Sequence, residues 1–173
     1  MNRQRIAEIF DKIYETDALI VQPASGNDLA RCQEDLAALG VPQMPADYIE
    51  FLEMANGISW NGFEFYGVLQ VTVKESGYTL ASIITKNENM HDVKMGLEGK
   101  LVVGRFDDDI YVYNPELESF ETLDAMTLML VDGFDTFEEM FEETVGYYAF
   151  YDDEDEDEDY PPDDEDGSLY EDQ

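Results

Sequence analysis

The chain has 173 residues, with 42 Asp and Glu against 9 Lys and Arg, for a formal net charge of −33. That balance argues against nucleic-acid, anionic-membrane and phosphate-rich partners, because affinity for phosphate comes largely from Lys and Arg. One cysteine, Cys32, and one histidine, His91, exclude a disulfide framework within the chain and a typical four-ligand zinc site.

Hydrophobic residues at 44% and aromatic residues at 13% are enough for one ordinary core at this length. The opening MNRQRIAEIFDKIYE interrupts its apolar positions with charges and has no continuous signal-peptide core. The longest later apolar run, 126–131, is closed by Asp132 and Gly133, well short of the ~20 residues of a membrane-spanning helix. A cytoplasmic protein is expected. The charge is unevenly placed. Residues 151–173 hold 14 acidic residues and no basic ones, which leaves 28 acidic and 9 basic residues, net −19, in 1–150. The last stretch is low-complexity, self-repelling and interrupted by Pro161-Pro162, so it buries too little apolar surface to offset its ordering entropy. A folded domain over 1–150 and a disordered acidic tail over 151–173 are expected.

In chain order, Ile6, Ile9, Phe10, Ile13 and Tyr14 repeat at helical spacing and predict a first helix over 2–15. Ser25 followed by Asp28 predicts a capped second helix, with Leu29, Cys32, Leu36 and Leu39 as its apolar stripe and Gly40 as its left-handed stop. Pro45 opens a third helix, since its missing N–H costs nothing in a first turn. Tyr48, Phe51, Leu52 and Ala55 form the buried face of that helix, and Asn56-Gly57 ends it. Beyond Trp60 the period shortens towards two, and Phe63, Phe65 and Tyr66-Gly67-Val68 read as a first strand. Residues 80–88 fit a strand or a helix.

Segments 101–106, 110–113 and 120–123 read as consecutive strands joined by the turns Asp107-Asp108-Asp109 and Asn114-Pro115-Glu116. This spacing suits an antiparallel meander, because parallel crossovers need about a dozen residues or more. A final helix starts near Asp135-Thr136, with Glu138 placed for capping and Phe137, Met140, Phe141, Thr144, Val145 and Tyr148 on its inner face. Helices, a meander sheet and a closing helix together predict the α+β class.

No phosphate-binding glycine loop, HExxH, nucleophile elbow or Cys-x-x-Cys pair occurs, and no cofactor or metal is expected. A glycosidase-like carboxylate pair is always available among 42 acidic residues, so its presence carries little weight. Asp107-Asp108-Asp109 resembles the start of a calcium loop, but Val112 stands at the sixth position where the turn needs glycine. A hairpin turn is the expectation there. Cys32 reads as an inert buried thiol on a helix, His91 as a solvated loop residue, and Trp60 as a core or loop anchor.

The segment from Pro23 to Gly67 resembles the SMI1/KNR4 domain, the SUKH superfamily, and more narrowly its YrhA-like branch. The likeness rests on Glu34 ahead of Leu39-Gly40, then Met44-Pro45-Ala46-Asp47-Tyr48, Phe51-Leu52, Asn56-Gly57 and the run from Trp60 through Gly67. Towards the C-terminus, the run from Gly133 through Phe141 looks like the closing helix of that family. The resemblance covers about residues 23–145 in the family's order. It implies a SUKH-like mixed fold with an antiparallel sheet and a non-catalytic role. Bacterial members are thought to be immunity proteins that neutralise secreted polymorphic toxins, while fungal relatives act as regulatory scaffolds.

A toxin that acts on nucleic acid needs a basic cleft, which an acidic inhibitor can occupy. Complementary charge speeds the encounter, and desolvated aromatic anchors supply the tightness. The expected function is therefore a non-catalytic immunity protein with a cognate protein toxin as partner. The alternative is a scaffold or regulatory binding module without a toxin. Candidate partner-binding residues are Trp60, Phe63, Tyr66, Asp107, Asp108, Asp109 and Tyr111. The tail is expected to be solubilising with no specific role; the alternative is that it mimics a single nucleic-acid strand, with Tyr151, Tyr160 and Tyr170 standing in for bases.

Overall fold

The structure, a computed structural model, describes residues 1–93 and 96–151. The acidic tail expected over 151–173 lies outside the described residues apart from Tyr151, which closes the last helix.

Helix α1 (Arg3–Tyr14) starts where the Asn2 side chain accepts the Arg5 amide hydrogen. Ile6, Ile9 and Ile13 are fully buried, whereas Tyr14 is exposed, because it is the helix's last residue and turned about 100° from Ile13. A short strand, β1 (Leu19–Ile20), follows. Helix α2 (Gly26–Leu39) is capped as its sequence predicts: the Ser25 hydroxyl oxygen accepts the Asp28 amide at 3.1 Å, and Gly40 takes φ 72°. Leu29, Cys32 and Leu36 are buried, but Leu39, the final residue, is exposed for the same reason as Tyr14.

Helix α3 (Ala46–Leu52) begins one residue after Pro45. The carboxylate of Asp47 reaches across to accept the Phe137 amide at 2.7 Å, tying this helix to the start of the closing one. The pair Asn56-Gly57 does more than stop a helix. The Asn56 amide donates towards the Val21 and Gln22 carbonyls, and its side-chain oxygen accepts the Val68 amide at 2.7 Å. Gly67 passes so close that a Cβ there would fall on the Asn56 carbonyl oxygen. Gly67→Ala is therefore expected to lower stability by about 1–3 kcal/mol, since overpacked backbone must shift. Urea denaturation checks this, and an unchanged midpoint would show that the Asn56 segment yields.

Strands β2 (Ile58–Trp60) and β3 (Phe63–Phe65) pair across Asn61-Gly62, both at positive φ. This is the two-residue hairpin that Asn-Gly favours. A small ribbon of β4 (Val71–Thr72) and β5 (Thr79–Leu80) comes next. The ambiguous segment 80–88 resolves into the end of β5 and helix α4 (Ile83–Val93). His91 is accordingly helical and half-buried, not a solvated loop residue, with Nε2 3.0 Å from the Lys100 carbonyl.

Then come β6 (Leu101–Phe106), β7 (Asp109–Asn114), β8 (Ser119–Asp124) and β9 (Leu130–Phe134). The closing segment runs through α5 (Phe137–Phe141), a π-helical stretch Glu142–Gly146 and α6 (Tyr147–Tyr151). Thr136 caps α5 by accepting the Glu139 amide, and Glu139 reaches back to the Asp135 amide. Glu138, expected in that role, instead accepts the Asn2 amide.

The main sheet has seven antiparallel strands in the order β1-β2-β3-β6-β7-β8-β9, which makes the fold an α+β meander. Its core is aromatic. Phe51 lies among Phe10, Tyr48, Phe65, Phe137 and Phe141, with ring centroids 4.7–6.2 Å away. Gly104 lies opposite both Phe65 and Tyr111, so the two rings stack across it at 5.3 Å. Where β3 ends, Asn87 of α4 takes over the exposed edge of β6. Its side-chain amide accepts the Val102 N–H and donates to the Val102 carbonyl, both at 2.8 Å. No described helix is long and apolar enough to cross a membrane.

Candidate functional site

The strand register lines up two neighbouring rows on the sheet face that meets the closing helix. One row runs Trp60, Phe63, Phe106, Asp109 and Asp124; the next runs Phe65, Gly104, Tyr111, Thr122 and Asp132. Directly opposed residues share a face. Three residues singled out from the sequence, Phe63, Asp109 and Tyr111, are thereby brought together. With Glu143, Thr144 and Tyr148 of the closing segment and Val131 of β9, they line a groove of about 230 Å³.

Phe63 and Tyr111 are buried, so they floor the groove and do not stand out as anchors, correcting the sequence expectation. The physical reason is stacking. Phe63 lies flat against Phe106 at 3.9 Å, and Tyr148 leans on both rings at 5.4 Å. The Tyr111 hydroxyl is held well above its ordinary range, first by burial and then by Asp109.

Tyr66 is also buried and lies away from the groove. Its hydroxyl donates to Glu64, which also accepts from Tyr78 at 2.7 Å and pairs with Arg105 at 2.9 Å. Trp60 is half-buried and anchors a loop, with its indole N–H on the Thr16 hydroxyl at 2.9 Å. Asp107 and Asp108 form the exposed two-residue turn between β6 and β7, with Asp107 at φ 47°, while Asp109 already belongs to the strand.

Charge at the groove is unbalanced. Asp109, Asp132 and Glu143 line it, and among the described residues no basic one does. Elsewhere Arg3, Arg5, Lys100 and Arg105 are committed to Glu53, Glu142, Glu121 and Glu64. The Asp109 carboxyl is raised above the usual range, first by burial, then by Asp124, Asp108 and Asp107.

A carboxyl raised in the folded state destabilises the fold above its folded pKa. That penalty fades as pH falls towards the unfolded value. Asp109→Asn is thus expected to raise the melting temperature at neutral pH, with the gain shrinking in acid and in high salt. Thermal melts across that pH window test it, and a gain that grows in acid would contradict the repulsion.

A broader depression of about 370 Å³ is lined by Asp28, Arg31, Cys32 and Asp35 among others. The Cys32 thiol is pushed up to about 12 by burial and by Asp35, so it stays protonated at neutral pH, as its helical position predicts. Among the described residues, no group of three or more His, Cys, Asp and Glu is arranged to hold a metal ion.

No protein-family model matches this chain, and no curated protein matches it. The site therefore rests on its geometry.

Residues that sequence reasoning did not single out are Phe106, Val131, Asp132, Glu143 and Tyr148. A signal for Val131 was present. The apolar run 126–131 ends in Leu130 and Val131, which open β9, but the strand continues through Asp132 and Gly133, where the run closes. Helical spacing already turns Tyr148 inward, but which sheet face the closing helix covers, and with it the place of Glu143 at the groove, is specified by no local pattern.

Proposed function

We propose that this chain is a non-catalytic cytoplasmic immunity protein of the SMI1/KNR4 (SUKH) superfamily, near its YrhA-like branch. It neutralises a basic, nuclease-type toxin by covering the toxin's cationic cleft. The observation that carries this reading is the groove lined by three carboxylates and, among the described residues, by no basic side chain, over an aromatic floor. Asp109, held above its ordinary pKa first by burial and then by Asp124, Asp108 and Asp107, is relieved when a cationic side chain arrives. Binding and deprotonation are then linked, so affinity rises with pH through the acid range.

The exposed Asp107-Asp108 turn adds long-range attraction at one end of the groove. Complementary charge of this kind raises association rates towards about 10⁸–10⁹ M⁻¹s⁻¹ at low salt. The residues that carry the family likeness have structural work: Asp47 caps α5, the Tyr48 hydroxyl donates to the Tyr66 and Val103 carbonyls, and Asn56 holds Val68.

Co-expression with the toxin-like product of a neighbouring gene tests the proposal. Survival with a recoverable, salt-sensitive complex is expected. Continued killing with no complex overturns it and leaves the scaffold reading.

A further inference from the structure

Among the described residues, β9 is the last strand of the sheet, so one of its backbone edges has no neighbouring strand. An unpaired edge is a template for another chain, and folded proteins usually guard it with lysines, proline or a covering segment. β9 carries neither lysine nor proline; the guards it does have are the bulge at Val131 and the single charge of Asp132, which a basic partner offsets. Leu130 and Val131 are 63% and 58% exposed, and the adjoining Met126 and Met129 are 88% and 68% exposed. Val131 is the extra residue of a bulge, and it turns towards the groove that Asp132 also lines. The amide of Gly133 is met by the carboxylate of its own neighbour Asp132, at 2.8 Å.

The two sides of this edge differ in chemistry. On the groove side stand Asp132 and, behind it, Asp109 and Glu143. On the opposite face Leu130 continues the row of Ile110 and Leu123. A second copy of this chain is a poor occupant, because pairing β9 with itself brings two such acidic clusters together in a chain of net charge −33.

We propose that the free edge of β9 takes up, as an added strand, an extended segment of a partner protein in which basic and apolar residues alternate. Main-chain hydrogen bonds to β9 supply the pairing. The basic side chains point into the groove beside Asp132, Asp109 and Glu143, and the apolar ones cover Leu130 and the neighbouring methionines. Alternation is required because successive side chains of a strand point to opposite faces. The inference rests on reading the protein as a protein-binding module, and it names the mode of binding.

The test uses the full chain and three short synthetic peptides: alternating lysine and valine, the same residues in two blocks, and alternating glutamate and valine. The alternating basic peptide is expected to bind about tenfold tighter than its block isomer. It is also expected to slow amide hydrogen exchange across Leu130–Phe134, while the acidic peptide does neither. Leu130→Lys with Val131→Lys, at exposed positions, is expected to abolish the preference with the circular dichroism spectrum unchanged.

Equal binding of the two basic peptides, or protection that spares β9 in the native chain, overturns the proposal even if the variant fails to fold. The toxin experiment fails separately. A protective complex in which β9 still exchanges freely retains the immunity reading and removes the added strand. Peptide addition to β9 without any protection from the toxin does the reverse.

Discussion

Phe51→Ala is expected to lower the unfolding free energy by about 3–5 kcal/mol, the range for deleting a buried aromatic ring. Phe51 is fully buried and touches rings from four parts of the chain: Phe10 of α1, Tyr48 of α3, Phe65 of β3, and Phe137 and Phe141 of α5. A hole at that point does not collapse easily, because its walls are rings fixed by other contacts. Phe65 stacks on Tyr111, and Phe137 meets both Tyr48 and Phe120. Against a total stability of about 5–15 kcal/mol, this single change brings the protein close to unfolding. Urea denaturation at neutral pH measures it. A loss below about 1 kcal/mol would mean that the helices slide inward to refill the space. Phe51→Leu keeps most of the volume and is expected to cost clearly less.

The second large effect is expected at Asn87→Asp, about 3–5 kcal/mol at neutral pH, the cost of an uncompensated buried charge. The Asn87 amide donates to the Ile83 and Val102 carbonyls and accepts the Val102 N–H, and no part of the residue reaches solvent. Aspartate retains the acceptor, loses both donors and sets a negative charge against two carbonyl oxygens. Its carboxyl must therefore titrate above its unfolded value. The sign follows from linkage: the penalty is full above the raised folded pKa and shrinks as pH falls through it, since the neutral acid has one O–H to donate.

Denaturation of variant and parent at matched pH values reads the difference directly. A penalty that does not change with pH would show that the site admits water. Asn87→Leu separates charge from pairing. It leaves the Val102 N–H and carbonyl without a partner, at about 1–3 kcal/mol for each buried orphan, and its penalty is independent of pH.

These two sites also show what kind of information was legible in the chain. Phe51 was readable as a core residue because its spacing with Tyr48, Leu52 and Ala55 marks one face of a helix. Asn87 was not, because a polar residue in a polar stretch looks solvated until the edge it covers is known. Trp60, expected as a core or loop anchor and also named as a candidate partner contact, is half-buried and bonds the Thr16 hydroxyl. Phe63, Tyr66 and Tyr111 were read as partner contacts, although alternation alone does not say whether a second layer covers a strand face. Here the closing helix covers one face, and the Glu64–Arg105 pair occupies the other.

Local chemistry was enough for elements whose signals are local. Ser25 and Gly40 bound α2, and the acidic turn at Asp107-Asp108 joins β6 to β7. The Asn61-Gly62 hairpin carries an equally local signal.

By itself, then, the sequence determined the α+β class, the meander between 101 and 124, and the strong excess of negative charge. Each depends on the period of apolar residues, on short turns or on composition, and none requires knowing which surfaces meet. Only the tertiary structure decided where that charge gathers into a groove. The groove exists because strand register aligns Asp109 with Phe106 and Phe63, and because the closing helix brings Glu143 and Tyr148 onto the same face. The free edge of β9 exists because the sheet ends there. Both are long-range outcomes of packing, in which residues far apart in the chain become neighbours.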